Sequence, residues 1–107
     1  MLSDKKCIPC EGGIPALTKS DMKQKLKQLD SNWLLVDNKI QRTFNFVNFK
    51  HTMNFVNQVA DIAEQEGHHP VMLVEYGKCQ IYLWTHSING LSENDFILAS
   101  KIDKINN

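Results

Sequence analysis

The sequence predicts an α+β domain, a four-stranded antiparallel sheet with three helices packed on one face. Three observations predict it. Two β-rich stretches each double back through a two-residue turn, at Asp37-Asn38 and at Gly77-Lys78. Three amphipathic segments open on their own start signals at Thr18, Asn48 and Ser92. The order that results is α-β-β-α-β-β-α. A chain of 107 residues has room for one such core.

Residues 1–16 hold two of the three prolines and two of the five glycines with little periodicity, and read as an extended N-terminal arm. Residues 17–107 read as a single domain. Its first helix starts at Thr18, where Thr18 and Asp21 have capping-box spacing and Leu17 and Met22 stand at the staple positions. Met22, Leu26 and Leu29 form its apolar stripe, with Lys23, Lys25 and Lys27 facing water and Asp30-Ser31-Asn32 ending it. Trp33 to Val36 is a short strand. Lys39 to Phe46 alternates, with Ile40, Arg42, Phe44 and Phe46 on one face. The second helix runs from an Asn48 cap to Glu66, with Phe49, Met53, Val56, Ala60 and Ala63 as its stripe and Phe55, Val59 and Ile62 widening it. Gly67 follows at the C′ position, and Pro70 forbids continuation. Val71–Tyr76 and Cys79–Trp84 form the second hairpin. The last helix opens at Ser92, where Asp95 repeats the capping-box spacing and Leu91 and Phe96 repeat the staple. Phe96, Ala99, Ile102 and Ile105 make its buried edge.

Lys+Arg and Asp+Glu number 12 each, a balance that argues against direct nucleic-acid binding or attraction to an anionic membrane. No apolar run reaches the length of a membrane span. The first ten residues lack the apolar core of a secretory signal. The odd count of three cysteines does not suit a secreted disulfide framework, and the protein reads as cytoplasmic. Cys7-x-x-Cys10 lacks a preceding strand and a second ligand pair, so it reads as two exposed thiols on the arm rather than a redox or zinc motif. P-loop, GxGxxG, GxSxG and HExxH patterns are absent.

The informative stretch is Glu64-Gln65-Glu66-Gly67-His68-His69-Pro70. Antiparallel return of the second hairpin brings the end of its second strand beside the start of its first, so His86 comes close to His68 and His69. Three neighbouring imidazoles suit general acid–base work near neutral pH. Glu64 and Asp95 stand near enough to orient them. A metal site is disfavoured, because adjacent residues in extended chain point to opposite sides. His51 reads as a solvated surface residue. The aromatics Tyr76, Tyr82 and Trp84 read as core or sheet-face residues, while Trp33, at a strand start, offers a surface on which a flat heterocycle can lean.

Glu64-x3-His68-His69-Pro70-x5-Tyr76-x9-His86-x8-Asp95 resembles the signature of the pterin-4a-carbinolamine dehydratases. The resemblance extends from about Leu17 to Ile105 and includes Trp33, Arg42-x-Phe44-x-Phe46 and Gly90-Leu91-Ser92. The Cys-x-x-Cys-x-Gly-Gly arm resembles the N-termini of some microbial members, and Gly67 stands where animal members usually have Asp. The resemblance implies loss of water from 4a-hydroxytetrahydropterin to give quinonoid dihydropterin, which recycles the cofactor of aromatic amino acid hydroxylases. It implies no metal and no organic cofactor, and a homodimer or homotetramer built through the sheet. By the same resemblance His68 and His86 carry the proton transfers and His69 mainly holds the pterin. Glu64 and Asp95 support the site, and Trp33, Pro70 and Thr85 lie near the ring. Animal members also act as dimerisation cofactors for transcription factors, so a protein-binding, regulatory module on the same fold is the alternative, with a protein partner in place of DNA.

Overall fold

A computed structural model describes residues 1–9 and 14–106. Asp37 takes a φ of 55°, a left-handed conformation that Asp tolerates, and the chain reverses there. β1 (Leu34–Val36) and β2 (Lys39–Asn45) therefore pair antiparallel, with Leu35 opposite Ile40. β3 (Val71–Glu75) and β4 (Lys78–Leu83) form the second hairpin. β4 pairs with β2, which gives the sheet order β1-β2-β4-β3. α1 (Lys19–Leu26), α2 (Phe49–Glu66) and α3 (Glu93–Ile105) complete the expected order, with 3-10 turns at Leu2–Asp4 and His86–Ile88.

The alternation on β2 and β4 sets the core. Ile40, Phe44, Cys79, Ile81 and Leu83 are buried, together with Val59, Phe96, Leu98 and Ile102 of the helices. Arg42 is buried on that same face because Asp103 meets it, with Nη1 2.7 Å from Oδ1. The Asp103 carboxylate also accepts the Trp33 indole N–H at 2.8 Å and the Asp30 backbone N–H at 3.2 Å. Its burial still holds that carboxyl above the usual carboxylate range.

Several local details differ from expectation. α1 ends at Leu26 and Leu29 is buried beyond it, through turn bonds rather than helix. Lys25 does not face water. It is mostly buried and lies 3.0 Å from Glu93 at the start of α3. In α2 the buried stripe is Thr52, Phe55, Val56, Val59 and Ala63, while Phe49 stays half exposed. A hydroxyl can join an apolar stripe when it is satisfied locally, and Thr52 Oγ1 lies 2.9 Å from the carbonyl oxygens of both Asn48 and Tyr76. The β3–β4 turn falls one residue early, at Tyr76-Gly77. A Cβ on Gly77 would stand 2.8 Å from the Phe46 carbonyl oxygen, so only glycine allows that approach.

Cys7 is not the exposed thiol that the sequence suggests. Leu2 and Cys7 are buried in the main core. The Cys7 N–H donates to Glu66 Oε1 at 2.8 Å, and Asn94 clamps Ile8 through both its amide atoms, at 3.0 and 2.7 Å. Burial, with the Glu66 charge beside it, pushes the Cys7 thiol up to about 12, which makes it a poor nucleophile. Burial acts against the Glu66 carboxylate too. Even so, hydrogen bonds from Lys101, 2.7 Å away, and from Cys7 N–H hold it below the usual range. Cys10, Gly12 and Gly13 lie outside the described residues.

Candidate active site

α2 stops at Gly67, whose φ of 65° is left-handed. A Cβ there would meet nothing within 4 Å, so the backbone angle alone calls for glycine. The chain then delivers His68, His69 and Pro70 into β3. Val71 faces Tyr82 across the hairpin, so the residues after β4 run back beside the residues before β3. Past Thr85 a 3-10 turn carries His86 to Ile88, closed by Asn89 at φ 46° and by Thr85 N–H on Gly90 oxygen at 2.8 Å. Two connections thus meet at one end of the sheet. Gly67, His68, His69, Trp84, His86 and Ser87 line a cleft of about 250 Å³ between them.

The three imidazoles are held differently. His68 is 6% exposed, and its Nε2 lies 2.6 Å from Asp95 Oδ1. Asp95 is fully buried, and its other oxygen accepts the Ser92 backbone N–H at 3.0 Å and the Thr85 hydroxyl at 2.9 Å. The Ser92 and Thr85 hydroxyls are 2.7 Å apart. One carboxylate therefore closes the first turn of α3 and fixes the ring of His68. An ionised carboxylate can only accept, so Nε2 is the ring nitrogen that donates to it. His69 is exposed, with Nε2 2.5 Å from the equally exposed Glu64 Oε2. A pair so open to water contributes little stability. His86 is exposed and lies flat on Trp84, the centroids 4.2 Å apart and the planes within 9°. Among the described residues no three His, Cys, Asp or Glu side chains are grouped to hold a metal ion.

Other residues named from the sequence do not line that cleft. Trp33 is 2% exposed, anchored through Nε1 to Asp103, and it borders a separate cleft with Lys23, Leu26, Lys27, Asp30 and Ser31. A buried indole N–H needs an acceptor, and Asp103 provides it. Thr85 is fully buried behind Asp95 and braces the carboxylate. Pro70 is half buried at the start of β3. Tyr76 is 69% exposed in the hairpin turn at the other end of β3, and His51 is exposed on α2. Trp84, expected on the core or sheet face, lines the cleft as well. Its signal was its place two residues before His86, which in extended chain sets both side chains on one side.

The family model for pterin 4 alpha carbinolamine dehydratase matches residues 15–105. The chain is 54% identical over 104 residues to a protein of Nitrosomonas eutropha whose name places it among the pterin-4-alpha-carbinolamine dehydratases, covering 97% of this chain and 92% of that one. A similarly named protein of Rickettsia canadensis is 47% identical, with 96% and 95% covered. The crystal structure of a protein from Brucella melitensis, described as a transcriptional coactivator/pterin dehydratase, superposes with a TM-score of 0.82 at 37% identity, over 87% of this chain and all of that one. A pterin dehydratase-like RuBisCO assembly factor of the α-carboxysome shares the fold alone, with a TM-score of 0.58 and 19% identity over 69% of this chain and 86% of that one.

Proposed function

Since the chain belongs to the pterin-4-alpha-carbinolamine dehydratase family, a family of hydro-lyases, we propose that it dehydrates 4a-hydroxytetrahydropterin to quinonoid dihydropterin by histidine acid–base catalysis. The observation that carries this is the meeting of His68 and His86 on one cleft, with His68 oriented by a fully buried carboxylate. In the reaction the 4a-hydroxyl takes a proton, its C–O bond breaks and water leaves. The proton on the neighbouring ring nitrogen is lost, and its electron pair forms the new C=N bond. His68 suits the base role: the imidazolium it becomes lies against Asp95, which offsets the new charge. His86, at the open side of the cleft, suits the acid role toward the departing hydroxyl. His69 and Glu64 hold the pterin at the rim.

The same reading assigns the protein to tetrahydropterin recycling for aromatic amino acid hydroxylation, in the cytoplasm. Exposed Leu34, Val36, Val71 and Leu73, together with the open edges of β1 and β3, support self-association into a dimer or tetramer through the sheet. No helix among the described residues is long and apolar enough to cross a membrane.

The experiment is a spectroscopic assay of dehydration with purified 4a-hydroxytetrahydropterin. The protein is expected to raise the rate by about 10²-fold or more over the spontaneous reaction. A rate equal to the spontaneous one overturns the proposal.

A further inference from the structure

An imidazole that transfers a proton must keep its plane and direction. Asp95 fixes His68, and Glu64 pairs with His69. The His86 ring makes no hydrogen bond or ion pair among the described residues, and the one ring contact it has there is the parallel face of Trp84. His86 is exposed and sits in a three-residue 3-10 turn, a setting in which side-chain rotamers exchange freely unless something packs against them. Trp84 has the fixity that His86 lacks. It continues β4, the strand paired on both sides, it is only partly exposed, and the Lys39 ammonium stands 4.7 Å from its ring centroid. It also borders the histidine cleft directly.

We propose that Trp84 is a positioning residue for dehydration, a flat platform that holds the His86 imidazole in the plane from which it meets the substrate hydroxyl. The inference rests on the proposed role of His86 in the reaction. A stack sets the plane of a ring and leaves it free to rotate about its normal, so His86 can turn a nitrogen toward the hydroxyl without leaving the platform. Aromatic shape is therefore what position 84 requires, and a branched aliphatic side chain of similar bulk does not supply it.

Three variants and one spectroscopic readout test this. Trp84→Phe keeps a flat ring and is expected to hold kcat within about threefold of the parent. Trp84→Leu is expected to lower kcat about ten- to a hundredfold with KM nearly unchanged, because the group that moves acts on the bond being broken. Parental kcat in Trp84→Leu, or a loss confined to KM, overturns the inference. The third variant, His86→Ala, serves a comparison of intrinsic emission that needs no turnover. A protonated imidazole stacked on an indole quenches it, so emission of the parent is expected to change with pH in a way that His86→Ala abolishes. Trp33 is common to both proteins and cancels. Identical emission curves overturn the stack, even should Trp84→Leu fail to fold. Absence of dehydration by the parent would instead count against the proposed function, while the emission comparison still decides the stack.

Discussion

Changing His68 to Gln and His86 to Leu in one chain is expected to lower the dehydration rate constant by about 10³-fold while the protein stays folded. The two rings reach the cleft from different connections, and the proposed reaction has them act on opposite ends of one event, departure of the hydroxyl and loss of the ring-nitrogen proton. Each single change is expected to cost about 10²-fold, and the double variant less than the product of the two, since one missing proton transfer already stalls the other. The substitutions are chosen to separate catalysis from stability. Gln at position 68 still offers an N–H to the buried Asp95 carboxylate, which alanine would leave short of a partner. His86 is exposed and its ring makes no hydrogen bond among the described residues, so loss of that ring costs little folding energy. Stability is expected to fall by about 1 kcal/mol in urea. Full activity in the double variant contradicts the account; a large fall in stability contradicts the claim that these rings serve chemistry more than folding.

The second large effect belongs to Asp95. Asp95→Ala is expected to cost about 3 kcal/mol of stability, because the carboxylate serves the Ser92 N–H, the Thr85 hydroxyl and His68 from a fully buried position. Asp95→Asn is the more informative change. Its amide oxygen can still accept the Ser92 N–H and so preserve the opening of α3, and the stability cost is expected to be about 1 kcal/mol. The amide nitrogen facing His68 can only donate, so it favours the tautomer with Nε2 unprotonated and moves the proton to Nδ1. The proposed base is then lost although the ring stays in place, and turnover is expected to fall on the order of 10²–10⁴-fold. Urea unfolding alongside the dehydration assay separates the two. Near-parental activity in Asp95→Asn would show that the carboxylate serves the helix cap alone.

The elements and the convergence of the histidines were legible because their signals are local. Thr18 with Asp21, Asn48, Gly67, and Ser92 with Asp95 mark helix ends through bonds spanning a few residues. Alternation on β2 reads directly as burial of Ile40, Arg42 and Phe44. The differences arise where satisfaction is long-range. Lys25 is drawn inward by Glu93, 68 residues on. Cys7 is buried because Glu66 and Asn94 meet the arm's backbone, a pairing no spacing announces. Trp33 turned toward Asp103, 70 residues away, rather than toward the histidines. The Asp95–His68 pair has the same long reach, 27 residues. It was legible only in outline, as a carboxylate in the right neighbourhood, because its buried geometry depends on Thr85 and Ser92 as well.

The most direct test is a crystal structure of the protein with a stable reduced-pterin analogue. The account predicts the analogue in the cleft between the α2–β3 and β4–α3 connections, with its C4a position and adjoining ring nitrogen each within roughly 3 Å, or one water, of the His86 and His68 rings. An analogue seated elsewhere, for example beside Trp33, with neither imidazole in reach, would contradict it.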